Sequence, residues 1–432
     1  MTATTPRPAP APSPSRVAGQ RGGVELLAPL DEAGRALAHV SAAAVAGGAI
    51  RAAVVFLATV AASLLLAIPL IYVAGSDPVE AYSALLGGSL GGQRPIAETL
   101  VSATPLLLAG LAVAVAFQAG LFNIGVEGQL VMGGLAAGAV GAELSLPGRL
   151  HLVAAVAAGM AAGALWGLVP GLLKAWRGVH EVITTIMLNY VAFSVSLWLV
   201  SPGGRLVSDT QPSATERVAQ DAALPRIWEP TRLHAGILVA AVVVALAWWF
   251  LFRTPAGYGF RIVGANPTAA RFNGIVPERV IVGAMVLSGA LGGLAGAVEV
   301  LGVHGRYFDS FSPGYGFDSI AVALLGLLHP IGVAAAALFF GVLRAGSVRM
   351  QSDAGLSRDI ITVISGLVVA CVAARVVLDR IRVRRVREEE AEAVQPPPEH
   401  AGRAPGGARP TPAAPARAGG GSPDRTRPEA HP

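Results

Sequence analysis

GLFNIGVEGQLVMGG, Gly120 to Gly134, interrupts a chain otherwise dominated by alanine, leucine, valine and glycine. It sets Asn123, Glu127 and Gln129 within seven residues, among glycines at 120, 125, 128, 133 and 134. A carboxylate and two amides in apolar surroundings are costly unless they face a cavity or a partner. Non-helical backbone at membrane depth is tolerated only where protein buries it or it lines water. Gly120, Gly125 and Gly128 suit an irregular turn whose backbone groups point inward. Asn123, Glu127 and Gln129 therefore line a solute path or brace the broken helix that forms one.

Composition sets the frame for that break. Of 432 residues, 53% are hydrophobic and 14% charged, against about 25% charged in soluble domains. Many runs approach the roughly 20 apolar residues that a spanning helix needs. The expected class is an all-α polytopic membrane protein, not a soluble enzyme. Cys371 is the single cysteine and cannot form an internal disulfide. The eight histidines show no metal-ligand spacing and no Ser/His/Asp cluster is suggested. No catalytic residue, metal or nucleic-acid partner is expected. The opening residues lack the charged segment, short apolar core and cleavage site of a signal peptide, so the first apolar run is expected to insert and stay.

Both ends differ from the middle. Residues 1–23 are rich in Pro, Ala and Ser, and 388–432 in Pro, Gly, Ala and charge. Neither can bury enough apolar surface to offset ordering entropy. Residues 24–48 read either as a short helix on the membrane surface or as a linker. The expected organisation is an N-terminal tail over 1–48, a membrane domain over 49–380 and a disordered cytoplasmic tail over 381–432.

Apolar runs fall at about 50–74, 100–118, 129–145, 150–173, 182–200, 233–252, 280–303, 318–328, 331–345 and 359–378. The pair 318–328 and 331–345 meets at His329-Pro330. Proline breaks helices and biases the preceding residue away from them, so one kinked span or two short ones fit. Lys and Arg near span ends set orientation. Arg375, Arg380, Arg382, Arg384 and Arg385 place the C-terminus in the cytoplasm, and Arg16, Arg21, Arg35 and Arg51 the N-terminus. Both ends inside need an even number of crossings, and about ten satisfies it. The loop 253–279, with Arg253, Arg261, Arg271 and Arg279, then lies inside and 201–232 outside. The three arginines of 344–358 fall outside, against the rule. Nine spans would repair that loop but expel the more basic C-terminal segment.

The inner loop is punctuated by Gly257, Gly259, Gly264 and Pro267. TAARFN after the proline suits a short helix closed by Gly274, a knob for a soluble partner or a basic loop on anionic lipid. Ala269-Ala270, three residues, then Gly274 resembles the EAA…G coupling motif of ATP-binding-cassette importer permeases, with Thr268 where that motif has Glu. FNIGVEGQ (122–129), HEVITTIMLNY (180–190) and YGFDSIAVALLG (315–326) resemble the simple-sugar and nucleoside, guanosine-type, branch. That branch is related to the branched-chain amino acid and ribose permeases. The resemblance covers about 50–380.

The resemblance implies one of two membrane subunits in the plasma membrane, the second usually a shorter homologous chain. Two cytoplasmic ATP-binding subunits would drive it, and an extracytoplasmic binding protein or lipoprotein would deliver the solute. Thr268, Ala269, Ala270, Arg271 and Gly274 would sit on an ATPase subunit. No cofactor is expected in this chain, with ATP on the partners. The residues agree on one point: the only lysine, Lys174 in PGLLKAW, lacks the surroundings of a P-loop.

For a nucleoside, carboxylates and amides match the donors and acceptors of base and ribose, and Phe122 is placed to stack on the base. YGFDSIAVALLG also enters a short apolar run through glycine, aromatic and acid, which adds Phe317 and Asp318 to the path candidates. Thr184, Thr185 and Asn189 share a span, with 185 and 189 on one face. Asn189 is the further path candidate, and the threonines suit bonds to their own carbonyls. Glu299 and His304 read as a snorkelling interfacial pair or a contact for the binding protein. His180-Glu181 marks a helix start, and SGALGGLAGA (288–297) close helix packing. The expected function is inward transport of nucleosides, or a related simple sugar, by alternating access. The alternative is an ion-coupled secondary transporter working through Glu127 or Glu299.

Overall fold

The computed structural model describes residues 54–357 and, beyond them, 362–364, 366–367, 370–371 and 374, which are helical. The N-terminal segment, the C-terminal arginine cluster and both tails lie outside the described residues, as does much of the 359–378 run. The described residues hold no strand, only two isolated bridges, Ala214 with Phe308 and Arg226 with His234.

Among the described residues, seven helices are long and apolar enough to cross a membrane. They are α1 (Val54–Val73), α3 (Gln93–Gln118), α5 (Arg149–Arg177), α6 (Glu181–Val200), α7 (Gly236–Arg253), α10 (Pro277–Glu299, extended by a π turn at Val300–His304) and α12 (Pro330–Asp353). Between them lie α2 (Pro78–Leu90), α4 (Val126–Glu143), α8 (Pro255–Ala265), α9 (Pro267–Phe272) and α11 (Tyr315–Leu325). His329 and Pro330 separate α11 from α12 as two helices, through a turn in which Leu327 and Leu328 have φ of 56° and 57°. The junction thus joins two separate helices, α11 of 11 residues and α12 of 24, and is not one kinked span.

The chain has two faces. At one, Gln93 at the start of α3 donates to Glu229 O (3.1 Å), and Arg232 pairs with Glu98 (2.6 Å). The 201–235 loop covers this face. At the other, the Gln118 amide at the end of α3 donates to Leu328 O (3.1 Å), and a Cβ on Gly120 would meet Gly264 Cα of α8 at 3.0 Å. α3 therefore runs from the loop face to the α8–α9 face, and α10 runs the other way. α3 is the central helix, 83% buried over its apolar window, whereas α1, α5, α6 and α7 are each 22% buried and peripheral.

Small residues let α5 and α10 touch. A Cβ on Gly293 would lie 2.2 Å from Gly159 O, and one on Gly289 2.3 Å from Gly163 O. This close backbone approach is the packing expected of the 288–297 run. Association between helices in lipid depends on such contact, since apolar burial from water supplies little there.

Two helices differ from the sequence reading. α2 contains no long apolar run, yet Asp77 caps it by accepting from Val79 N, and Pro78 starts it. α8 contains three glycines that suggest a loop. Thr254 caps it through Gly257 N (3.0 Å), and the glycines let its backbone lie against neighbours: a Cβ on Gly257 would sit 2.0 Å from Phe250 O and one on Gly264 2.3 Å from Gln118 O.

Candidate functional site

α3 ends at Gln118, and the chain then turns back into the bundle before α4 begins. Gly120 makes the turn with φ of +76°, a conformation open to glycine at little cost. Asn123 is fully buried. Its Nδ2 donates to Ser288 Oγ (2.8 Å) on α10 and to Gln129 Oε1 (3.1 Å), and its Oδ1 accepts from Gly125 N (3.0 Å). Ser288 in turn donates to Ala112 O of α3 (2.6 Å). Asn189 on α6 clamps the same break, with Oδ1 accepting from Gly128 N (2.9 Å) and Nδ2 donating to Ile124 O (3.0 Å). These amides satisfy backbone groups that the broken helix leaves free, a requirement in a dry interior.

α4 then runs from the centre of the bundle to the loop face, where Ala219 N donates to Gly141 O (2.8 Å). α11 mirrors it. The chain enters from the loop face through residues 305–314, and α11 runs from the centre to the α8–α9 face. The two N-termini meet. Glu127, 2% exposed in the first turn of α4, accepts from Gly316 N of α11 at 2.6 Å. Only glycine suits position 316, because a Cβ there would lie 2.4 Å from Glu127 N. Ser312 Oγ accepts from Tyr315 N (3.2 Å). The pairs α3–α4 and α10–α11 are thus inverted copies of one another in direction, the arrangement of inverted repeats with discontinuous helices.

A cavity of about 220 Å³ opens where the halves meet. Glu127 and Asp309 supply carboxylates, Ser196, Tyr307, Ser310 and Ser312 hydroxyls, and Phe193 and Phe317 rings. Of the residues singled out from sequence, Glu127 and Phe317 border it. Asn123, Gln129 and Asn189 face the α3–α4–α6–α10 interior instead. Phe122 packs edge-on against Phe117, with centroids 4.7 Å apart. Asp318 pairs with Arg344 (2.5 Å), whose guanidinium also lies over the Tyr315 ring at 4.5 Å.

Glu299 is 3% exposed, which corrects its placement as a snorkelling pair at the interface. It accepts from Tyr315 OH (3.5 Å) and sits 3.3 Å from His304 Nε2, so it ties the end of α10 to the start of α11. Thr184 and Thr185 bond the carbonyls of Glu181 and Val182 in their own helix, as expected, and His180 is the N-cap of α6. Tyr307, Asp309, Ser310 and Ser312 were missed from sequence. The repeated Phe-Asp-Ser at 308–310 and 317–319 is a signal that marks Asp309 and Ser310, and no such pattern marks Tyr307 or Ser312.

The loop above the cavity is held by its own chemistry. Ser208 Oγ (2.6 Å) and Asp209 N (2.7 Å) donate to Glu216 and hold its carboxyl below the usual range. Burial pushes the His234 imidazole below its ordinary value, and its Nδ1 accepts from Gly236 N at 3.1 Å.

On the opposite face, Asn266 caps α9 by accepting from Thr268 N (3.0 Å) and Ala269 N (3.1 Å). Ile275 N donates to Ala270 O and Gly274 N to Arg271 O, both at 3.0 Å, with Gly274 at φ +74°. This is a Schellman closure. Ala270 is buried beneath, Arg271 pairs with Glu278, and Phe272 stands 89% exposed at the tip.

Residues 96–373 match the family described as branched-chain amino acid transport system / permease component. The chain belongs to this family. It is a multi-pass membrane permease of the ABC transporter class, of the nucleoside and sugar type. The permease is similar to the guanosine ABC transporter permease protein NupP of Bacillus subtilis, at 39% identity over 308 residues, covering 70% of this chain and 87% of that protein. It is 35% identical over 319 residues to the glucose ABC transporter permease protein TsgB13 of Haloferax volcanii, covering 71% and 83%. It is 32% identical over 328 residues to the nucleoside ABC transporter permease protein NupB of Lactococcus lactis subsp. cremoris, covering 73% and 90%. No solved structure matches the chain.

Proposed function

We propose that this permease moves nucleosides into the cell by alternating access, as one of two membrane subunits driven by separate ATP-binding subunits. The observation that carries the proposal is the cavity where the N-termini of α4 and α11 meet, with carboxylates, hydroxyls and two phenylalanine rings on its wall. A nucleoside offers a flat base for the rings and a ribose diol for the oxygens. The similarity to guanosine and nucleoside permeases supports a nucleoside as that solute.

The arginines at 253, 261, 271 and 279 favour the α8–α9 face as cytoplasmic. Both termini then lie in the cytoplasm, and the 201–235 loop faces a solute-binding protein or lipoprotein outside. The α9 knob meets an ATPase subunit, with Phe272 inserted and residues 268–274 held rigid by the two caps. Closure of the ATPase pair moves α9, and α8 carries the motion to the turn at Gly120, which it touches. Glu127 lines the path, Phe317 stacks on the base, and Asn123, Gln129 and Asn189 brace the break behind it.

The test is uptake of labelled nucleosides and ribose in cells lacking this gene. Nucleoside uptake should vanish and return with the gene only when a functional ATPase partner is present. Uptake by the purified chain alone, driven by an ion gradient, would overturn the proposal. Loss of ribose uptake alone would keep the importer and change its solute.

A further inference from the structure

The wall of the cavity has a one-sided charge. It carries two carboxylates, Glu127 and Asp309, and among the described residues no lysine, arginine or histidine lines it. Arg344 lies near enough to act on Glu127 but does not line the cavity, and it is engaged by Asp318 at 2.5 Å and by the face of Tyr315 at 4.5 Å. In discontinuous membrane helices, exposed N-termini usually receive an anionic group of the solute. Here the protein supplies that anion itself. Glu127 sits in the first turn of α4 and accepts the Gly316 N–H of α11 at 2.6 Å, so one buried side chain serves both helix ends. A solute phosphate or carboxylate reaching this point finds that donor taken and two carboxyl groups, those of Glu127 and Asp309, beside it.

We propose that Glu127, together with Asp309, sets the charge selectivity of the permease: uncharged nucleosides pass, and their phosphorylated or carboxylated forms are refused. This rests on the cavity being the solute path. Glu127 is then a specificity-determining residue that never needs to bond the solute. Its carboxyl occupies the helix-end donor that an anion would need, and Asp309 adds a second acidic group to the wall.

The potential can be read without measuring transport. Cys371, the single native cysteine, is replaced by alanine. Ser310, exposed at the cavity rim, is replaced by cysteine. Membranes holding the complete transporter are labelled with a cationic and an anionic methanethiosulfonate of similar size, each rate being normalised to that with a free thiol. The cationic reagent should react faster by about tenfold, the scale of one or two charges a few ångströms away at intermediate dielectric. That preference should fall about threefold or more in Glu127→Gln, which keeps an acceptor for Gly316 N–H, and also fall in Asp309→Asn. A ratio near one in the parent, or a ratio unmoved by both substitutions, overturns the charge filter. Protection of the new cysteine by added nucleoside is read in the same membranes. Its absence removes the path and the selectivity claim together, whereas protection with a ratio near one removes the selectivity alone.

Discussion

The two half-length helices that meet at the centre of the bundle are secured by different means. α4 is held by neutral amides and a hydroxyl, Asn123, Gln129, Asn189 and Ser288, none more than 2% exposed. α11 is held by one buried carboxylate, one serine cap and the Asp318–Arg344 pair, whose side chains are 37% and 24% exposed. Removing a buried partner of a backbone group costs about 1–3 kcal/mol. A half-exposed ion pair is worth about 0–1 kcal/mol. Only α11 therefore has an anchor that is cheap to break, the Asp318–Arg344 pair, while each of these anchors of α4 is buried. Gly316 and Phe317 belong to α11, so in the proposed alternating-access cycle gating of the cavity falls to that helix.

The contact between the halves is the place to break this arrangement. Gly316→Ala drives a methyl to 2.4 Å from Glu127 N, and overpacking of this kind costs about 1–3 kcal/mol or more. Nucleoside uptake at matched membrane levels should fall about tenfold or more, the rate equivalent of 1.4 kcal/mol. Asn189→Ala leaves Gly128 N–H and Ile124 C=O without their side-chain partner. Unfolding in detergent should show a loss of about 1–3 kcal/mol. Asp318→Asn should cost about 1 kcal/mol or less, yet speed hydrogen exchange of the α11 amides and leave those of α4 unchanged. Equal acceleration in both helices would erase the distinction.

The smallest effect is a pH dependence. His234 packs on Gly302 of the π turn that leads toward α11, and burial lowers its pKa. The unfolded imidazole, near 6.5, then binds a proton more readily than the folded one. Stability present above that pH is lost as pH falls below it. The melting temperature should drop between about pH 7.5 and pH 5.5, and His234→Gln should flatten the slope. An unchanged slope in that variant would assign the dependence to other groups.

Much of this was legible in local sequence chemistry. Glycines flanking Asn123 and Glu127 announced the broken helix, and Ala270 with Gly274 announced the short helix on the inner loop. The small-residue run at 288–297 announced the α5–α10 contact. What the sequence hid depends on distance along the chain. The partner of Asn123 is Ser288, 165 residues away, and no local pattern names it. Phe122 reads as a stacking ring but turns to Phe117, the penultimate residue of α3. Asp309 and Ser312 look like ordinary loop residues until the re-entrant chain brings them to Glu127. α8 was hidden because glycine signals flexibility in one dimension and close contact in three.

The most direct measurement is nucleoside uptake in cells lacking the chromosomal gene, complemented with the wild-type chain or with Gly316→Ala at equal membrane abundance. Restored uptake with the wild type and little or none with Gly316→Ala would place transport at the junction of α4 and α11. Full uptake with Gly316→Ala, or nucleoside uptake unaffected by loss of the gene, would contradict it.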